Sequence, residues 1–224
     1  SPTTTTRLGF FWVCIGFVPY TNNIIIIYKK KTAGGEVVRL VGNHELEPLL
    51  SNFVISGFSK EEAQFMREKM TRQVLCGDLR AAYAYKGYLF THAGVTHKLY
   101  RIFQMQLDEP SSNNLAVLIN LIFKESIKHE FFKHPIFNIS IHRKGVNRFG
   151  GIFWEDLDDL VSSYPASPVW QIVGHTQVVH IVVDKTARII PVDVGLHRKL
   201  QYLVLDEKGV PEIVDVPDDQ PAEN

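Results

Sequence analysis

Three apolar runs, each closed by a glycine-bearing turn with a histidine, constrain this chain more than any other feature. They are VVRLVGNHE (37–45), GYLFTHAGV (87–95) and VWQIVGHTQ (169–177). Short apolar runs rich in β-branched and aromatic residues, stopped by glycine, read as buried strands. In open α/β sheets, active sites gather at the carboxyl ends of strands. Glycine there lets the backbone approach a ligand closely. The pattern places Asn43, His44, His92 and His175 at three strand ends. Two imidazoles and an amide oxygen converging from those ends suit a divalent transition metal. One histidine at one strand end is more commonly an ordinary polar residue, so the recurrence is what argues for a site.

Between these runs the patterning alternates between helix and strand. Ser59 and Glu62 form a capping-box pair that predicts a helix running to about Val74. Leu79–Tyr85 and Tyr88–Thr91 predict a hairpin turning at Lys86-Gly87. Leu115, Leu118, Ile119, Ile122 and Phe123 share one helical face, which predicts a helix over 113–132. Residues 136–151 read as a long irregular loop, and further strands are expected over 169–173, 178–183, 189–194 and 202–205. The fold class is α/β, a mixed-sheet sandwich flanked by helices.

Composition narrows the function. Lys plus Arg and Asp plus Glu both number 24, so the formal net charge is zero, which disfavours nucleic acid as the main partner. Cys14 and Cys76 make no disulfide framework or metal knuckle, and a reducing, cytoplasm-like setting is the default. Residues 1–35 stand apart, with no Asp, Glu or His. Within them, 8–28 carries no charge and is about long enough to span a bilayer, although Pro19, Thr21, Asn22 and Asn23 interrupt it. A membrane anchor, an export signal, a buried strand region and a disordered arm all remain open readings of that stretch. The organisation is read as an atypical segment over 1–33, a main domain over 34–210 and a Pro- and acid-rich tail over 211–224 that is expected to fray.

The ordered set GNHE, THAG and GHT, together with FGGIFWEDL (149–157) and PVDVGL (191–196), resembles the calcineurin-like metallophosphoesterases. The subgroup it looks most like is the phosphoprotein phosphatase-like one, including Shewanella-like phosphatases. The resemblance implies a metallophosphoesterase-type sandwich and hydrolysis of phosphate monoesters or phosphoproteins by a metal-activated water. It implies that Asn43, His92 and His175 ligate a metal (Mn, Fe, Zn or Ni). It implies that His44 serves as general acid or orients the phosphate. Glu45 would hold the turn, and Asp193 would brace a ligand histidine from behind. Arg80 is a candidate for phosphate contact, with a surface ion pair as the alternative.

The sequence departs from that family in one respect. GNHE is normally preceded by GDxHG and GDxxDRG, which supply the first metal's ligands, the bridging aspartate and a phosphate-binding arginine. Here Glu36 is the first acidic residue and His44 the first histidine. The implied βαβ portion is thus incomplete or replaced, and one metal site is expected rather than two. The rival expectation is a catalytically dead phosphate-binding module or a truncated product.

Overall fold

A computed structural model of the chain describes residues 11–18, 21–29, 37–50, 60–195 and 201–215. In chain order the elements are β1 (Phe11–Val18), β2 (Thr21–Lys29), β3 (Val37–Leu40), α1 (Asn43–Leu49), α2 (Lys60–Cys76), β4 (Leu79–Arg80), β5 (Ala82–Tyr85) and β6 (Tyr88–Thr91). They continue with α3 (His97–Gln104), α4 (Ser112–His129), α5 (Leu157–Ser162), β7 (Trp170–Val173), β8 (Ile189–Pro191), β9 (Gln201–Leu205) and β10 (Pro211–Asp215). The protein is mixed α/β, as the patterning requires.

Among the described residues the strands form two sheets. A six-stranded sheet runs β10-β9-β1-β2-β3-β4, and a four-stranded sheet runs β5-β6-β7-β8. The sheets face each other: Val38 and Leu40 from β3 and Leu203 and Leu205 from β9 share one buried cluster with Tyr88, Phe90, Ile172 and Ile190. The opposite face of the four-stranded sheet, with Leu89, Val173 and Ile189, packs on helices through Leu99, Phe103, Leu115, Ile119 and Phe123. Alternation of side chains along each strand feeds both cores at once. That is why β6 is buried at every position.

Turn chemistry fixes the register. Lys86 and Gly87 both take positive φ, 51° and 84°, as a tight hairpin between β5 and β6 demands. The β6–β7 and β7–β8 pairs are parallel, with Thr91 opposite Val173. Helix α4 supports the hairpin through Asn120, whose Oδ1 accepts from Ala81 N and Ala82 N at 2.8 and 3.1 Å. Asn120 Nδ2 returns a bond to Ala82 O at 2.7 Å. These bonds satisfy the backbone where the chain leaves one sheet for the other, because β4 pairs with β3 and β5 with β6.

Several expectations need correction. The single strand read over 79–85 is two strands in different sheets, with Ala81 at the crossing. Residues 178–183 form no strand, despite their β-branched pattern. They follow an irregular turn, and Val179 and Val182 lie exposed. Residues 211–215, expected to fray, pair with β9 along their whole length. Asp206 accepts from Lys208 N and Val210 N and folds the chain back, and proline is tolerated as the first residue of an edge strand. The capping role of Ser59 and the tail over 216–224 lie outside the described residues.

The acid-free N-terminal segment supplies β1 and β2, an antiparallel hairpin in the middle of the six-stranded sheet. It pairs with β9 on one side and β3 on the other. No helix among the described residues is long and apolar enough to cross a membrane.

Candidate active site

The three histidine-bearing turns meet. β3 ends at Leu40, and Gly42 caps helix α1, which places Asn43 in its first turn. Glu45, at the third helical position, reaches back so that Oε2 accepts from Gly42 N at 3.0 Å. Glu45 therefore secures the turn, as the sequence suggests. Burial pushes its carboxyl up to about 7, against the opposing pull of the Gly42 N–H.

The two imidazoles come from neighbouring parallel strands. Because Thr91 pairs with Val173, the next residues continue the ladder, and Gly174 N donates to His92 O at 2.8 Å. His175, one residue further, takes a left-handed conformation with φ 69°. That conformation is costly for a residue with a Cβ and persists only where the surroundings impose it. Here it turns the His175 ring toward His92, with ring centroids 4.8 Å apart.

His92 is the hub. Its Nε2 lies 2.8 Å from Asn43 Oδ1 and 3.0 Å from His175 Nδ1. Asn43 and His92 are buried. Burial lowers the His92 pKa well below its ordinary value, helped by the neighbouring charges of His175, His44 and Arg143. Burial also lowers His175 to about 4, with Arg143 adding to the shift and Asp156 opposing it. Both rings are thus neutral near pH 7. A neutral Nε2 carries either a proton or a lone pair. At most one proton can therefore serve two short contacts among three atoms, and the cluster is richer in lone pairs than in hydrogens.

The remaining ring atoms, His92 Nδ1 and His175 Nε2, are buried without a hydrogen-bond partner among the described residues. The brace expected from Asp193 is therefore not made; Asp193 Oδ1 accepts from Gly195 N at 3.2 Å instead. Burial raises the Asp193 carboxyl pKa. Arg80, the phosphate-contact candidate, donates through Nε to Gly77 O at 3.0 Å and lies 5.9 Å over the Tyr83 ring. His44 is exposed, next to Asn43 and close enough to bear on both buried imidazoles.

Sequence reasoning missed a second layer around His175. Arg143, in a segment read only as loop, donates through Nη2 to Thr176 Oγ1 at 2.6 Å and pairs with Asp156 Oδ2 at 2.9 Å. The Trp154 and His175 rings meet nearly at right angles, with centroids 6.1 Å apart. Glu155 is buried and accepts from Gly150 N and Asp156 N at 2.8 and 2.9 Å, so the FGGIFWEDL segment wraps its own carboxylate. Burial pushes that carboxyl up to about 7. A side chain at Gly151 would meet Ile136 O at 2.0 Å, which explains the second glycine. The motif signalled this layer; its contact with Arg143 carried no sequence signal.

No protein-family model matches the chain, and no curated protein sequence matches it. Among solved structures, the fold is similar to a cold-active protein-tyrosine phosphatase of a psychrophile Shewanella species, at 14% identity and a TM-score of 0.46. That likeness covers 82% of this chain and 60% of the other. A structure of cold-active protein tyrosine phosphatase at 1.1 Å gives 13% identity and a TM-score of 0.47, over 82% and 59% of the two chains. The chain spans about 60% of the length of these structures.

Proposed function

We propose that this chain is a metal-dependent phosphoesterase domain of calcineurin-like type, acting on phosphate monoesters or phosphoproteins. The observation that carries the reading is the meeting of Asn43 Oδ1, His92 Nε2 and His175 Nδ1, three turns drawn from distant parts of the sequence. Their chemistry fits a divalent transition ion. Donors about 2.1 Å from one ion lie roughly 3 Å apart when they subtend a right angle, close to the 2.8 and 3.0 Å seen. Neutral imidazoles are the protonation state that ligation requires. An ion held there supplies Lewis acidity toward a phosphoryl oxygen and a water.

The chain's own residues do the rest. Exposed His44 stands at the rim, where its imidazole can give a proton to the leaving-group oxygen. Glu45 fixes the turn that carries both Asn43 and His44. Trp154 packs its ring near-perpendicular to that of His175, with centroids 6.1 Å apart. A second reading, phosphate binding without turnover, is favoured by one observation. The buried carboxylates Glu45, Glu155 and Asp193 are each bonded to backbone N–H groups, and the donor set itself is neutral. A neutral set gives a cation less electrostatic stabilisation than a bridging carboxylate does.

Hydrolysis of p-nitrophenyl phosphate by the purified chain, with and without Mn²⁺, separates the two. The phosphoesterase reading expects metal-dependent turnover that His92→Ala abolishes. Phosphate binding by the folded chain with no turnover establishes the second reading instead.

A further inference from the structure

We infer that Arg143 is a positioning residue for His175: its guanidinium clamps Thr176, the next residue, and so holds the histidine in its left-handed backbone conformation. The inference rests on reading Asn43, His92 and His175 as a ligand set. Three hydrogen-bonded contacts carry it. Arg143 Nη2 donates to Thr176 Oγ1 at 2.6 Å and to Asp156 Oδ2 at 2.9 Å. Leu157 N donates to the same Thr176 hydroxyl at 3.1 Å. Asp156 is itself fixed, because its Oδ1 accepts from Asp158 N at the start of α5.

The root of the clamp is also fixed. Arg143 closes a short turn over Ile141–Arg143, tied by Ile141 N to Asn147 O at 2.7 Å and Gly145 N to Ser140 O at 2.8 Å. Arg143 Nε is buried without a partner among the described residues, so the group is committed to Thr176 and Asp156 at the expense of its own full hydrogen bonding. A planar guanidinium can hold two acceptors in one rigid arrangement, whereas an ammonium is a flexible point charge. A left-handed residue with a Cβ needs such imposed geometry. Outer contacts of this kind orient metal-ligating imidazoles.

The test uses the full chain with Arg143→Met, Arg143→Lys and Thr176→Val, and Asp159→Asn as control, since Asp159 pairs with neighbouring His142 and not with the clamp. Two readouts are taken: the ¹⁵N imidazole resonances of His175 in the metal-free chain, and Zn²⁺ affinity by calorimetry. Arg143→Met, Arg143→Lys and Thr176→Val are each expected to lose the single wild-type His175 signature and to weaken Zn²⁺ binding at least tenfold. The Asp159→Asn control is expected to keep both. An unchanged His175 spectrum in Arg143→Met and Thr176→Val overturns the inference, as does a wild-type result in Arg143→Lys, which would assign the effect to charge. Should Arg143→Met fail to fold, Thr176→Val decides alone. If the wild-type chain binds no Zn²⁺, the ligand-set reading fails, and the metal-free spectrum still decides the role of Arg143.

Discussion

The two sheets contribute unequally to the candidate site. The four-stranded sheet delivers His92 and His175 from adjacent parallel strands, in a register fixed by Thr91 against Val173. It is covered on both faces, by helices on one side and by the other sheet on the second. The six-stranded sheet delivers one donor of the buried cluster, Asn43, with exposed His44 beside it in the turn after β3. Its central strands, β1 and β2, come from a segment with no acid and no histidine. The imidazole pair therefore depends on backbone pairing well inside the protein, while the Asn43 amide depends on the single turn after β3. Register brings the two histidine-bearing strands side by side, and a local turn then aims each side chain.

Substitutions can break this contrast. The largest effect is expected at the hub. His92→Ala removes the atom that touches both other donors, and metal-dependent hydrolysis should fall to background. Asn43→Ala removes one donor, the one from the six-stranded sheet, and should lower activity about tenfold to a hundredfold, of the order of 1.4–2.7 kcal/mol. Equal losses in steady-state assays would show that the sheets do not differ as described.

Stability should divide in the same way. Phe153 is fully buried on the helix side, in ring contact with Phe123 and Phe137 at centroid distances of 5.6 and 5.8 Å. Phe153→Ala should cost about 3–5 kcal/mol in urea unfolding. Ile190, between the sheets, loses only one methyl group in Ile190→Val, which should cost roughly 0.5–1.5 kcal/mol. A Phe153→Ala chain as stable as the Ile190→Val chain would remove the helix-side core from the account.

The smallest effect is a slope with pH. The Glu45 and Glu155 carboxyls are raised to about 7 in the folded chain, so each retains a proton that the unfolded chain releases near 4.5. Their contribution is full below about 4.5 and is lost as pH rises through about 7. The His92 and His175 pKa values are lowered, His175 to about 4, so their contribution is present above about 6.5 and is lost as pH falls. The two effects oppose between about pH 4.5 and 6.5, and the urea midpoint should change little there. Glu155→Gln removes one carboxyl, so the variant's midpoint should rise more steeply with pH than that of the parent. An unaltered slope contradicts the raised Glu155 pKa.

Much of the positioning was legible in the sequence, for identifiable reasons. Gly42, Gly94 and Gly174 punctuate the three turns, and Lys86-Gly87 announces its hairpin. The residues 43, 92 and 175 could therefore be assigned to strand ends without knowing which strands are neighbours. Residues 178–183 misled because a β-branched run becomes a strand only where a continuous ladder of backbone partners is in reach. Here the segment's backbone meets the strand region beside it at separate points, Val178 N with Asp193 O at 2.8 Å and, just past it, Asp184 N with Ile189 O at 3.1 Å. Arg143 was not legible, since its role depends on a contact across 33 residues with Thr176. The Asp193 brace failed because its carboxylate turns to a backbone N–H two residues on.

The most direct measurement of the central claim is calorimetric titration of the purified chain with Mn²⁺ and Zn²⁺, beside His92→Ala and Asn43→Ala. The account expects one equivalent bound per chain, binding abolished in His92→Ala and weakened in Asn43→Ala. No binding by the parent chain, or binding undiminished in His92→Ala, would contradict a metal site shared by the three turns.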